Sequence, residues 1–262
     1  YKTAKAKTPL KNGDNVQIWM PPPEPLIYLK PEKMDLKILF EDEHIIVINK
    51  QSGLIVHPAP GHKSGTLVNG LLFHCNDLPG INGKLRPGIV HRLDKDTSGC
   101  MVVAKSQEAL VNLQKQIKEK IASREYIAVI HGAPNSEEGQ IVGHIGRDRL
   151  NRLKYKVVEE TSGRYACTYW KLKERLGNYS LMSFKLDTGR THQIRVHCAH
   201  INHPIVGDPL YGRCKKLPCK LDGQALHAIK LGLIHPINGK EMIFESELPL
   251  DFQKLLSVLK VK

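Results

Sequence analysis

Runs of β-branched and apolar residues recur along this chain more often than helical patterns do, and they do not alternate strictly with them. That ordering restricts the fold more than any other feature, because a wholly parallel sheet needs a helical return between successive strands. The stretch LKILFEDEHIIVINK, beginning at Leu36, holds two short apolar runs around Glu41-Asp42-Glu43 and predicts a hairpin. Strand patterns also fit 88–94, 100–104, 124–132, 140–145, 165–173, 179–186, 227–234 and 242–245. Helices are predicted over 64–74, over 192–201 and from near Asp251. Another helix follows Ser106, a suitable N-cap, with Leu110, Leu113, Ile117 and Ile121 recurring on one face. The expected class is α+β with a mixed, mostly antiparallel β-sheet.

The chain's ends and charge set its organisation. Lys2, Lys5, Lys7 and Lys11 precede NGDNVQIWMPPPEP, a short strand-like run closed by a proline cluster that holds an extended, semi-rigid spacer. Residues 1–25 therefore read as a basic tail and linker, and 26–262 as one domain whose compact part starts near Leu36. A chain that does not open on Met is expected to be a fragment of a longer product. Its first residues lack the apolar core of a secretory signal. No apolar stretch reaches the roughly 20 residues of a membrane-spanning helix. A formal net charge of +13 over 262 residues favours a polyanionic partner, nucleic acid before membrane. The 6 irregularly spaced cysteines make no disulfide framework, so a reducing cytoplasm is the expected location.

Chemistry concentrates in four stretches. GIVHRLDKDTSGCMVVAK (88–105) sends Arg92 and Asp94 to one face if 88–94 is extended, ahead of the turn residues 94–99. INKQSGLIVHPAPGHKSGTLVN contains Lys50, SREYIAVIHG contains Tyr126, and LDTGRTHQIRVHCAHINHPIVGDPLYG contains Arg190, His192, Arg195, His197 and Asp208. Taken singly, such an Asp caps a turn and such a Tyr fills a core. A zinc site built from His197, Cys198, His200, His203, Cys214 and Cys219 is disfavoured, because no Cys-x-x-Cys pair supports it. HRLDKD resembles a kinase catalytic loop, yet the glycine-rich loop and Asp-Phe-Gly segment are missing.

Taken together, HRLDKDTSG, INK-x-x-GLIVHP and TGRTHQIRVH resemble the RluA family of RNA pseudouridine synthases over about residues 36–260. VHPAPGH, HCAHINHPIVGDPLYG and LHAIKLGLIHP are most similar to its RluD branch, which acts on large-subunit ribosomal RNA. The resemblance implies a long mixed sheet flanked by helices and loops, with a basic active-site cleft. It also implies a small RNA-binding domain ahead of the catalytic one, of which only NGDNVQIWMPPP resembles a remnant. The implied reaction breaks the C1′–N1 bond of uridine and joins C1′ to C5. That isomerisation involves no redox change, hydrolysis or group donor, so no cofactor or metal is expected. The chain carries no Walker A or dinucleotide fingerprint either. The nucleotide must be flipped out of structured RNA to be reached.

Residue by residue, Asp94 matches the catalytic aspartate, which either attacks C1′ or takes the C2′ proton. Arg92 matches the arginine that enters the space left by the flipped base. Tyr126 matches the tyrosine that stacks on the uracil and helps move the C5 proton. Arg195 matches the arginine that pairs with the aspartate, keeping it ionised and oriented, and Ile194 is expected beside the tyrosine. Lys50 and Arg190 are expected to contact phosphate. Cys100 stands where many relatives have leucine, a small hydrophobe in either case.

The expected function is thus isomerisation of uridines in structured RNA, ribosomal RNA first, with transfer RNA or a non-catalytic RNA-binding module as alternatives. The basic segment IGRDRLNRLKYK (145–156) is expected to be an RNA-contacting loop or hairpin. The oligomeric state is left open, with a monomer favoured.

Overall fold

A computed structural model describes residues 8–9, 11–15, 29–59, 61–75, 78–79, 87–212, 217 and 219–260. The strand-like run and proline spacer expected at 16–25, and Cys214, lie outside them. Among the described residues ten strands form one sheet: β1 (Ile38–Glu41), β2 (Ile45–Lys50), β3 (Ser98–Ala104), β4 (Ser123–His131), β5 (Glu138–Arg147), β6 (Tyr155–Val158), β7 (Arg164–Leu176), β8 (Tyr179–Leu186), β9 (Leu226–Ile234) and β10 (Glu241–Glu245). Their order is β1-β2-β3-β9-β4-β8-β7-β5-β6, with β10 also on β9. Every pairing is antiparallel except β3 with β9. The helices are α1 (Leu67–His74), α2 (Gln107–Lys118), α3 (Gln193–His200) and α4 (Leu250–Lys260). This is the expected α+β class. Among the described residues no helix is long and apolar enough to cross a membrane.

The central strands read as continuous apolar runs because both faces of the sheet are covered there. Along β2 and β3, Ile46, Ile48, Met101 and Val103 join the larger core with α1 and α4. Ile45, Val47, Cys100 and Val102 join a second core with Leu110 and Leu113 of α2. Ser106 caps α2 as expected, its Oγ accepting the Ala109 N–H at 3.2 Å. The helix stops at Lys118, so Ile121 falls beyond it and is 46% exposed rather than on the buried face.

One further expectation is corrected. Segment 88–94 is not a strand: only Ile89 bridges Val103. The free edge of β3 is satisfied otherwise, since the Val102 N–H donates to His91 Nε2 at 3.1 Å and the Ala104 N–H to the Gly88 carbonyl at 2.9 Å. The period-two alternation survives without the ladder, with His91 and Leu93 buried and Arg92 exposed. Strand β6 carries no strand pattern of its own in the sequence, which predicts a loop or hairpin at 145–156. It pairs with β5, so the basic segment 145–156 is a hairpin.

The single parallel contact sets the height of the turn before β3. Ser98 and Gly99 lie opposite His227 and Ala228, and a Cβ on Gly99 would sit 2.2 Å from the Ala228 carbonyl oxygen. With φ of 115°, only glycine suits this position. Ser98 Oγ meets His227 Nδ1 at 2.8 Å, and Ser246 Oγ meets Nε2 at 2.8 Å, pinning the same crossing with a fully buried ring.

Candidate active site

A pocket of about 80 Å³ opens above the middle of the sheet, where the turn before β3, β4, the end of β8 and the start of β9 converge. Its walls hold Asp94, Arg92, Tyr126, Arg190, Ile194 and Arg195, so the fold gathers six of the seven expected site residues. They come from separate stretches of chain: Tyr126 from β4, Ile194 and Arg195 from α3, and Arg190 from the loop before it.

Asp94 has a side chain 17% exposed, facing the pocket. Its Oδ2 accepts from Arg195 Nη1 at 3.0 Å. Arg195 is itself held by Asp208, with Nε donating to Oδ2 at 2.7 Å and Nη2 to Oδ1 at 2.9 Å. This two-pronged bond fixes the plane of the guanidinium and aims its remaining nitrogen at Asp94. Asp208 Oδ1 also accepts the backbone N–H groups of Leu210 and Tyr211 at 2.9 and 3.0 Å. Burial pushes the Asp208 carboxyl upward, but Arg195 and those N–H groups outweigh it and hold it below the usual carboxylate range. Burial likewise opposes the Arg195 charge, and the two carboxylates more than offset it.

His192 forms the other side of the aspartate. It precedes α3 in the left-handed region, φ 56°, which places its ring over the site and leaves its side chain unused as a cap. Nδ1 lies 2.9 Å from the Tyr211 hydroxyl, and Nε2 lies 3.9 Å from Asp94 Oδ1. The Tyr211 oxygen accepts the Tyr155 N–H at 2.8 Å. Burial pushes the Tyr211 phenol up to about 12, so it keeps its proton. With that proton donated to Nδ1, a neutral ring would carry its hydrogen on Nε2, toward the carboxylate. Burial also lowers the His192 pKa, favouring that neutral ring.

Tyr126 is buried, and burial raises its phenol above the ordinary value. Ile194 is buried in the same core as Tyr126. Arg92 is exposed at the rim. Arg190 donates from Nε to the Tyr165 carbonyl at 2.8 Å and lines both the pocket and a wider groove of about 620 Å³. That groove continues past Gly189 and Thr191 to Arg147, Tyr155 and Arg164 on the β5–β6 side.

Lys50 departs from expectation. It is 1% exposed, and its ammonium donates to the carbonyls of Gln51, Leu54 and Lys95, each at 2.8 Å. All three N–H donors are spent, so it cannot reach a phosphate. It ties the end of β2 to the turn that carries Asp94.

Asp208, His192, Tyr211 and Gln193 had no role assigned from sequence. Gln193 Nε2 donates to the Cys167 carbonyl and to Thr168 Oγ1, both at 2.9 Å, while its Oε1 accepts the Arg190 N–H at 2.9 Å, docking the loop before α3 onto β7. Of the histidines considered for zinc, His197 is fully buried against Thr168 Oγ1 at 2.9 Å and His203 meets the His131 carbonyl at 2.9 Å. They do not face one site.

Known proteins resemble this chain over most of its length. A family model described as RNA pseudouridylate synthase matches residues 44–200. An RNA pseudouridine synthase of Synechocystis is 50% identical over 252 residues, covering 96% of this chain and 77% of that protein. The ribosomal large subunit pseudouridine synthase D of Zymomonas mobilis is 44% identical over 259 residues, covering 96% and 81%. The structure of human RNA pseudouridylate synthase domain containing 4 superposes with a TM-score of 0.67 at 25% identity, covering 86% of this chain and 93% of that one.

Proposed function

The chain belongs to the RNA pseudouridylate synthase family and is an isomerase, and we propose that it converts specific uridines of large-subunit ribosomal RNA to pseudouridine. The ribosomal substrate is supported by relatives at 42–44% identity that are named ribosomal large subunit pseudouridine synthase D. On this reading the protein works in the cytoplasm on RNA destined for the large subunit. Residues 26–262 are its catalytic domain and 1–25 its tail and linker.

The observation that carries the reading is the meeting of Asp94, Tyr126 and the Asp208-braced Arg195 in one pocket. A module that only binds RNA has no use for a half-buried carboxylate aimed by a buried arginine. The flipped uridine would enter with its base against Tyr126 and Ile194 and its sugar toward Asp94. The carboxylate then attacks C1′ or removes the C2′ proton, and the C1′–N1 bond breaks. The uracil turns and C5 bonds to C1′, displacing the Asp94 carboxylate in the first case or with the proton returned to C2′ in the second, and the C5 proton leaves while N1 regains one. The Tyr126 phenol, protonated at neutral pH, would move that proton by giving its own to N1 and taking the C5 proton in return. Arg92, at the rim, would fill the vacated stack, and Arg190 would hold a neighbouring phosphate.

The test uses unmodified large-subunit ribosomal RNA made in vitro, with pseudouridine mapped by carbodiimide adducts and primer-extension stops. Stops are expected with the wild type and none with Asp94→Asn. Stops on a transfer-RNA pool instead would reassign the substrate, and RNA binding without stops on either RNA would overturn the enzymatic reading.

A further inference from the structure

The β5–β6 hairpin ends in Asp148-Arg149-Leu150-Asn151-Arg152-Leu153-Lys154, and its two leucines point away from the protein: Leu150 is 95% exposed and Leu153 70%. The tip is ordered by its own hydrogen bonds. Asp148 Oδ1 accepts the Leu150 N–H at 2.9 Å and Asn151 Oδ1 accepts the Leu153 N–H at 3.0 Å. The Asp148 N–H donates to the Lys154 carbonyl and the Lys154 N–H to the Asn151 carbonyl, both at 2.9 Å. These side-chain-to-backbone turns present both leucines outward.

The charges around them select the partner. Arg149, Arg152 and Lys154 have no carboxylate partner among the described residues, whereas Asp148 is matched by Lys156 at 3.6 Å. Single leucines alternating with unpaired cations do not make the contiguous apolar face that a second copy or a lipid surface would bury. They match a nucleic-acid helix, in which apolar side chains enter between bases while cations meet the flanking phosphates. The hairpin also stands beside the active site. Its root residue Tyr155 lines the groove that runs on from the pocket and donates its N–H to the Tyr211 hydroxyl, next to His192.

We propose that Leu150 and Leu153 are an apolar wedge that enters the base stack beside the target uridine and holds it open while the nucleotide moves to Asp94. The inference rests on the pseudouridine synthase reading and adds the part of the chain that opens the RNA.

The experiment uses a uridine mapped in the ribosomal RNA assay, placed once in a base-paired stem and once in an unpaired strand, with 2-aminopurine beside it. The wild type, L150S/L153S and L150F/L153F are compared. In the serine variant the ratio of kcat/KM on paired to unpaired RNA is expected to fall about tenfold or more, because the cost of unstacking then goes uncompensated. The phenylalanine variant is expected to restore that ratio. The 2-aminopurine should brighten on binding the wild type and the phenylalanine variant but not the serine variant. A general loss of folded protein cancels in the ratio. Equal ratios, or brightening with the serine variant, would overturn the wedge. So would a serine variant whose only defect is lost self-association or lost adsorption to vesicles. A wild type that makes no pseudouridine in either RNA would overturn the underlying reading instead.

Discussion

At the scale of single residues the site is governed by charges whose partners are fixed. Asp208 neutralises Arg195 out of water, with side-chain exposures of 0% and 5%. Removing one partner of such a buried pair strands the other, at about 3–5 kcal/mol. Asp208→Asn is therefore expected to lower stability by about that much in urea unfolding. The sign with pH follows from the depressed folded-state pKa. The carboxylate's contribution is complete above its unfolded value of 3.8 and is lost as pH falls through the lower folded value. The gap between wild type and variant should thus be widest near neutrality and close in acid. A gap that widens below pH 3.8 would show that Asp208 is not the stabilised carboxylate. Lys50 behaves oppositely. Burial drags its pKa from 10.5 to about 7, against the pull of Asp94 and Asp96. Below about 7 the ammonium has one N–H for each of its three carbonyls, and above it the amine leaves one unpaired. Single-turnover rates should decline as pH rises through that value, and in Lys50→Met the rate should be low throughout with that limb absent. Persistence of the limb in the Met variant would assign it to another group.

At the scale of elements the β5–β6 hairpin is the piece most exposed to a polyanion. Replacing Arg149 and Arg152 by Ala should weaken RNA binding and flatten the log–log salt dependence by about 1.4–1.8 units for two lost phosphate contacts. Filter binding over a range of salt concentrations measures this directly, and an unchanged slope would remove the hairpin from the contact surface. The turn before β3 works the other way, through rigidity. It is fixed by the close crossing at Gly99 and by the Lys50 ammonium, so the Asp94 carboxylate sits on a braced turn rather than on a slack loop.

At the scale of the whole molecule, what the sequence made legible was whatever leaves a local pattern. Apolar runs without intervening helices gave the α+β class, and the ordered motifs around Asp94, Tyr126 and Arg195 gave the pocket. What stayed hidden depends on distant chain segments meeting. Asp208 follows Arg195 by a helix end and a turn, and nothing local marks it as the arginine's brace. Lys50 looked like a phosphate ligand because its three carbonyls come from separate turns that only the fold assembles. Segment 88–94 looked like a strand because alternation reports which side chains are buried, not which backbone groups are paired. Strand β6 is four residues long and follows a basic run, too short for periodicity to register. One described contact reaches beyond architecture. The Tyr155 N–H grips the Tyr211 hydroxyl, and that hydroxyl orients the ring facing Asp94, so on the proposed reading recognition and reaction would share a single mechanical linkage. An ill-matched RNA that seats the hairpin badly would also shift the His192 ring beside the Asp94 carboxylate. Fidelity would then be exercised as a slower turnover of wrong uridines rather than as a failure to hold them.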